Sequence, residues 1–160
     1  MDTQLDQADY RLLELLQADA RTSIAKLAET VGLSEPACYR RIQRLKRLKI
    51  IEREVAVVSP RTMGWPLTMI VLVTLERERT AILDRFIRKL QSVPEIVDVW
   101  YVTGDYDFAL RVVARDMESF ETLTREVLYA DNVVKNFKTL VTMRSVKSQA
   151  PLVAASRDLE

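Results

Sequence analysis

Apolar residues recur at three-to-four-residue spacing through roughly the first fifty positions, then switch beyond residue 66 to alternating and helical runs, so the chain predicts two modules of different kind. In the first, Leu5, Leu12, Leu13 and Leu16 mark an amphipathic helix behind Asp6. Asp9 lies in its first turn, where a carboxylate favours the positive end of the helix dipole. A second helix turns Ile24, Leu27, Ala28 and Val31 inward, with Ser23 as its cap and Gly32 as its stop. Ser34 caps a third, Glu35 and Pro36 suit its first turn, and Cys38, Ile42, Leu45 and Leu48 form its apolar side. Ala28 leaves room for a crossing helix, Gly32 can take the left-handed conformation, and Cys38 is a small apolar plug between the two. These offsets predict a helix-turn-helix.

Past Leu48 the period changes. Residues 51–59 are rich in β-branched positions and polar at several others, the pattern of a short wing or hinge strand, and Ser59-Pro60 and Gly64-Trp65-Pro66 then punctuate the chain. Residues 67–147 read as strand (67–75), helix (80–92), strand (96–103), tight turn, strand (108–114), helix (117–129) and strand (134–146). That β-α-β-β-α-β order predicts an antiparallel four-stranded sheet with both helices on one face, a ferredoxin-like arrangement. Ile82, Phe86 and Leu90, and then Phe120, Leu123 and Val127, fall on single helical faces as such packing requires. The opposite sheet face would be too rich in Val, Ile and Trp to sit in water, which points to a second subunit. The expected class is therefore α+β, a winged helix-turn-helix followed by a ferredoxin-like βαββαβ domain. Its expected parts are residues 1–50, a wing and hinge at 51–66, the sheet domain at 67–147 and a tail at 148–160.

Composition narrows the chemistry. With 160 residues, 48% hydrophobic and 29% charged, the chain can bury a core, and the apolar stretch near Met69 is far too short to span a bilayer. The acidic start lacks the basic and greasy pattern of a secretory signal, so a cytoplasmic protein is expected. The single cysteine excludes an intramolecular disulfide, and the lack of histidine removes the common zinc sites and imidazole catalysis. No metal, cofactor or enzymatic activity is expected. A net charge of +1 is uninformative until its distribution is seen: Arg40, Arg41, Arg44, Lys46, Arg47, Lys49 and Arg53 face only Glu35, Glu52 and Glu54 between Ser34 and Glu54, a local +4.

Arg40, Gln43, Arg44 and Arg47 share one helical stripe, since offsets of three, four and seven return to the same side. On a lone helix this would be an ordinary solvated face. Behind a helix-turn-helix it suits phosphates and base edges, with Ser34, Pro36, Ala37, Tyr39 and Arg40 near the bases and Arg44, Lys46 and Arg47 on phosphates. Arg41 flanks the apolar stripe and either joins them or braces the module through a carboxylate such as Asp9. Cys38 reads as core rather than a redox sensor, Trp65-Pro66 as hinge packing, and residues 76–79 as a solvated charged connection. Thr103-Gly104-Asp105-Tyr106-Asp107 is sufficient as a hairpin turn.

Leu5-Asp6 with Asp9, Leu15-Leu16-Gln17 then Arg21, Leu27-Ala28 with Val31-Gly32-Leu33-Ser34, Arg41-Ile42 with Leu45, and Thr103 to Asp107 occur in an order and spacing that resembles the leucine-responsive regulatory protein/AsnC family of transcription regulators. The resemblance covers nearly the whole chain. It implies a sequence-specific regulator whose amino-terminal module binds double-stranded DNA, at a palindromic operator if the assembly is twofold. It also implies a carboxy-terminal domain that builds homodimers and higher oligomers and binds a small effector, commonly an amino acid. In the family the loop matching Thr103, Gly104, Asp105 and Asp107 helps form the effector pocket at subunit interfaces, and positions matching Tyr101, Leu140 and Thr142 affect effector response. A zwitterion needs N–H groups for its carboxylate and a carboxylate for its ammonium, and Gly104 with Asp105 or Asp107 could supply both. The resemblance departs where Lys49 stands near a usual Gly and Arg53-Glu54 near a usual Gly-aromatic pair. Since a left-handed lysine costs on the order of 1 kcal/mol, the third helix is expected to end differently. Glu52 and Glu54 weaken the wing as a phosphate clamp, which puts the weight on helix three. Two rival readings share the architecture: a nucleoid-organising DNA binder of low specificity, and a sirohaem decarboxylase, whose chemistry would be expected to use the histidine this chain lacks.

Overall fold

The computed structural model describes residues 4–76, 80–130 and 132–147. The expected tail at 148–160 and most of the charged connection at 77–79 lie outside the described residues. The chain forms two compact units, one running to Ala56 and the other Val57–Val146.

In the first unit, helix α1 spans Gln7–Ala18, α2 Ile24–Val31 and α3 Glu35–Arg47. Each boundary has a local cause. The Asp6 carboxylate accepts from the Asp9 backbone N–H at 2.9 Å, and the Asp9 carboxylate accepts from the Asp6 N–H at 3.3 Å, a reciprocal capping box. Ser23 caps α2 by accepting from the Lys26 N–H, and Gly32 ends it at φ 73. Ser34 occupies the cap position of α3, but its hydroxyl makes no capping hydrogen bond, contrary to the expected cap, and Pro36 in the first turn presets the helix entry instead. Leu12, Leu27, Ala28, Cys38 and Ile42 form one buried cluster, so Cys38 is the plug its spacing suggested. Leu13 and Leu45 form another, covered by Leu5, Tyr10, Ile50 and Ile51.

The end of α3 overturns an expectation. Lys49 does adopt the left-handed conformation, at φ 56. Its N–H donates to the Lys46 carbonyl and the Ile50 N–H to the Leu45 carbonyl, both at 3.0 Å, which is the paired closure of a Schellman motif. These bonds, with Ile50 folded against the Leu13–Leu45 cluster, outweigh the strain of about 1 kcal/mol. The expected wing strand is also absent: among the described residues, positions 52–59 pair with no other strand and are exposed.

In the second unit, β1 spans Leu67–Leu75, α4 Thr80–Gln91, β2 Ile96–Tyr101, β3 Phe108–Ala114, α5 Met117–Thr124 and β4 Val134–Val141. All pairings are antiparallel, in the order β2-β3-β1-β4. The expected helix over 117–129 is α-helical only to Thr124 and then widens into a π turn, Arg125–Tyr129, that keeps both Val127 and Leu128 buried. Met69, Val71 and Val73 with Phe108, Leu110 and Val112 form the helix-covered face, against Phe86 and Leu90 of α4 and Phe120 and Leu123 of α5. Phe86 meets Phe108 edge-on at 5.6 Å.

Pleat alternation sends Ile70, Leu72, Ala109, Trp100 and Leu140 to the other face, where Ile70 lies between Arg111 and Leu140 and Ala109 between Leu72 and Trp100. Trp100 and Leu140 remain 48% and 45% exposed. Asp98 and Arg111, an ion pair on neighbouring strands, sit in the same surface. Trp65, read as hinge packing, is half-buried with the Arg115 guanidinium 5.2 Å from its ring centroid.

Because glycine takes the left-handed region without a Cβ clash, Lys49→Gly should raise stability by about 0.5 kcal/mol, the relieved strain less the extra freedom of glycine in the unfolded chain. A urea midpoint shifted upward checks this; a downward shift would show the lysine unstrained.

Candidate nucleic-acid interface and effector loop

The third helix owes its position to a buried carboxylate. Asp9 is fully buried in the first unit. Its Oδ1 accepts from Arg41 Nη1 and its Oδ2 from Arg44 Nη1, each at 3.0 Å. Arg41 Nη1 also donates to Asp6 Oδ2 at 2.7 Å, and Arg44 Nη2 to the Gln4 carbonyl at 3.2 Å. Two carboxylates of α1's capping box thus hold two guanidiniums of α3, so the bonds that start one helix also pin the other. The Asp9 backbone N–H, together with Arg41, holds the Asp6 carboxyl below the usual carboxylate range. The carboxylates of Asp6 and Asp9 push the Arg41 guanidinium up in return.

This clamp settles the alternatives left open for Arg41, which is a brace through Asp9. Two residues expected on phosphates also have acidic partners within the unit. Arg44 shares the stripe of Arg40 and Arg47, but its guanidinium is occupied by Asp9, and Lys46 donates to Glu54 at 2.8 Å. Outward on α3 are Glu35, Pro36, Tyr39, Arg40, Gln43 and Arg47, with Ser34 at the mouth of the helix and Ala37 half-buried. Tyr39 is 54% exposed. Among the described residues, Arg40, Gln43 and Arg47 have no hydrogen-bond or ion-pair partner. A helix braced from behind therefore offers two free guanidiniums, an amide and a phenol to solvent, a donor-rich ridge. Cys38, on the opposite side, has its thiol pushed up by burial and then by Glu35, as an inert core residue should.

The loop residues are placed less simply. Thr103, Gly104 and Asp105 are exposed, with Gly104 at φ 120. The Tyr101 ring packs on Phe108 at 5.2 Å between centroids. Asp107 locks the loop to β1: its N–H donates to the Val73 carbonyl at 2.8 Å, and its Oδ2 accepts from the Leu75 N–H at 2.7 Å. That second bond lies just past the last β1–β3 pair, Val73 with Phe108, and so carries the contact between the two strands one step beyond the ladder. Leu140 pairs with Ile70, and the Thr142 N–H donates to the Thr68 carbonyl at 2.9 Å. Thr68 and the Asp107 anchor points at Val73 and Leu75 lie toward opposite ends of β1, about 17–24 Å apart at roughly 3.4 Å per residue. One chain therefore does not bring Leu140 and Thr142 to the loop. A separate cleft of about 320 Å³, lined in part by Val93, Glu95, Ala114, Thr122, Leu123 and Glu126, contains none of the expected residues. Sequence reasoning missed the Asp107–Leu75 latch and the Asp98–Arg111 pair on the open sheet face, whose only signal would have been strand register.

A helix-turn-helix with a free cationic ridge, followed by a ferredoxin-like domain with an exposed apolar sheet face, defines a two-module DNA-binding regulator. The AsnC-type helix-turn-helix domain model matches residues 5–46, and the Lrp/AsnC ligand binding domain model matches residues 68–152. An HTH-type transcriptional regulator of Sinorhizobium fredii is 48% identical over 145 residues, 91% of this chain and 86% of that protein. The leucine-responsive regulatory protein of Escherichia coli is 33% identical over 153 residues, covering 96% and 93% respectively. The fold matches that of a transcriptional regulator from Neisseria meningitidis solved as an L-Met complex, with TM-score 0.87 at 24% identity over 92% of this chain and 96% of that one. The chain belongs to the Lrp/AsnC family of transcriptional regulators. Among the described residues no helix is long and apolar enough to cross a membrane.

The lowered Asp6 carboxyl gives the clamp a pH signature. The folded state binds its proton less readily than the unfolded chain, so the contribution is complete above the ordinary carboxylate range and is lost as pH falls through the lowered value. Asp6→Asn should therefore lose less stability than the parent when urea midpoints are compared between neutral pH and about pH 3. Equal losses would mean that Asp6 is not linked to folding.

Proposed function

We propose that this protein is a homo-oligomeric regulator that reads a palindromic operator through α3 and is tuned by an amino acid bound beside Thr103, Gly104 and Asp105. The observation that carries the DNA half is the partner-free set Arg40, Gln43 and Arg47 on a helix held rigidly from behind by Asp9. Arginine and glutamine are suited to base edges in the major groove, and residues nearest the start of the helix, Ser34, Pro36, Tyr39 and Arg40, approach them first. Arg47, about two turns beyond Arg40, sits where phosphates run. Lys46 and Arg44 act inside the module instead. Twofold symmetry would space two half-sites about one helical turn apart, or a multiple of it.

For the effector half, support comes from chemistry and from kinship. The loop offers backbone N–H groups at Gly104 and a free carboxylate at Asp105 to a zwitterion. Asp107, with one oxygen already bonded, serves first as the loop's anchor. A relative carries the name leucine-responsive regulatory protein, and a protein of the same fold was solved with L-Met. Since Leu140 and Thr142 sit at the far end of β1, a pocket that uses them together with the loop needs a second copy of the chain. The apolar sheet face of Ile70, Leu72, Trp100 and Leu140 supplies a surface for such pairing. The protein then works by binding rather than catalysis, in the cytoplasm and on the nucleoid. An effector regulates only if it prefers one assembly or DNA-bound state over another, with a coupling of about 1–3 kcal/mol.

Arg40→Ala should cost about 1–3 kcal/mol at the operator and little on random duplex, whereas Arg47→Ala should weaken both alike and reduce the salt slope by about one unit. Salt titrations on both duplexes decide it; equal losses for Arg40→Ala would remove it from the base-reading set and favour the nucleoid-organising reading. In a thermal-shift series with the twenty amino acids, one or a few should raise the melting temperature, and Asp105→Ala should abolish the rise. No response to any of them would end the amino-acid assignment.

A further inference from the structure

We propose that Asp9 is a specificity-determining residue, one that never touches DNA but withholds Arg44 from its phosphates; this rests on the DNA-binding reading above. Between Ser34 and Glu54 stand seven cations. Three have acidic partners: Arg41 on Asp6 and Asp9, Arg44 on Asp9, and Lys46 on Glu54. Arg40, Arg47, Lys49 and Arg53 have none among the described residues. Phosphate contacts add affinity for every sequence equally, so each guanidinium withheld from the backbone improves the ratio of operator to random binding.

Arg44 is the cation for which this matters. It lies one turn after Arg40 and three residues before Arg47, so its side chain leaves α3 at the edge of the outward ridge. It is 31% exposed, while the Asp9 carboxylate that holds it is 1% exposed. The anion is also the immobile member, because its own oxygen closes the capping box on the Asp6 N–H. A long flexible cation facing a fixed buried anion sits where the anion dictates, and here that is away from the ridge.

Asp9→Asn keeps the size and an oxygen for the Asp6 N–H but removes the charge that holds two guanidiniums. With Arg44 released, the plot of log affinity against log salt on random duplex should steepen by about one unit per bound subunit, roughly a further threefold loss between about 50 and about 200 mM salt, and the operator-to-random ratio should fall. The double variant Asp9→Asn with Arg44→Met should return to the parent slope, which separates a freed Arg44 from a simple gain of net charge. Arg44→Met alone should leave the slope unchanged. An unaltered slope in folded Asp9→Asn, a steepened slope that persists in the double variant, or a slope lowered by about one in Arg44→Met overturns the proposal. Should Asp9→Asn fail to fold, Arg44→Met alone decides. A parent protein with no salt-sensitive affinity for DNA would instead sink the DNA-binding reading itself.

Discussion

A carboxylate with no access to water must be answered by cations and N–H donors, and the amino-terminal unit is arranged around that requirement at Asp9. The same side chain begins α1, receives Arg41 and Arg44 from α3, and so ties the two helices between which α2 is packed. Hydrophobic contacts among Leu12, Leu27, Cys38 and Ile42 supply most of the cohesion, but they would tolerate sliding. Directional bonds do not. The orientation of Arg40, Gln43 and Arg47 toward solvent follows from where the clamp leaves the helix.

The second unit solves a different problem. Four antiparallel strands carry apolar residues on both faces, and two helices can cover only one. What is left over is an exposed apolar face with Trp100 and Leu140 on its outer strands and the Asp98–Arg111 pair set into it.

Most of the architecture was legible in the sequence because its causes are local. Apolar periodicity placed helices α1 to α5 and strands β1 to β4, Ser23 and Gly32 bounded α2 where capping chemistry requires, and the β-α-β-β-α-β order implied the sheet. What was not legible shares a cause as well. Arg44 was placed on phosphates by its helical offset, and no local spacing shows that its guanidinium also meets a carboxylate 35 residues away. Lys49 looked unfit for a left-handed cap, and was adopted because closure onto Leu45 and Ile50 outweighs the strain. The wing strand at 51–59 has the composition of a strand, but a strand needs a neighbour and composition does not provide one. Asp107 was read, with Asp105, as a carboxylate for an ammonium group; that one of its oxygens also accepts from the Leu75 amide, tying the start of β3 to the end of β1, is something no spacing rule reveals.

The distance between the hairpin loop and the far end of β4 bears on what such a molecule can sense. A cavity whose walls come from separate chains exists only in the fraction of molecules that have met, and that fraction rises with the abundance of the polypeptide itself. By mass action the metabolite and the protein become joint variables: the same nutrient level would be registered differently in a cell making little of this chain and in one making much.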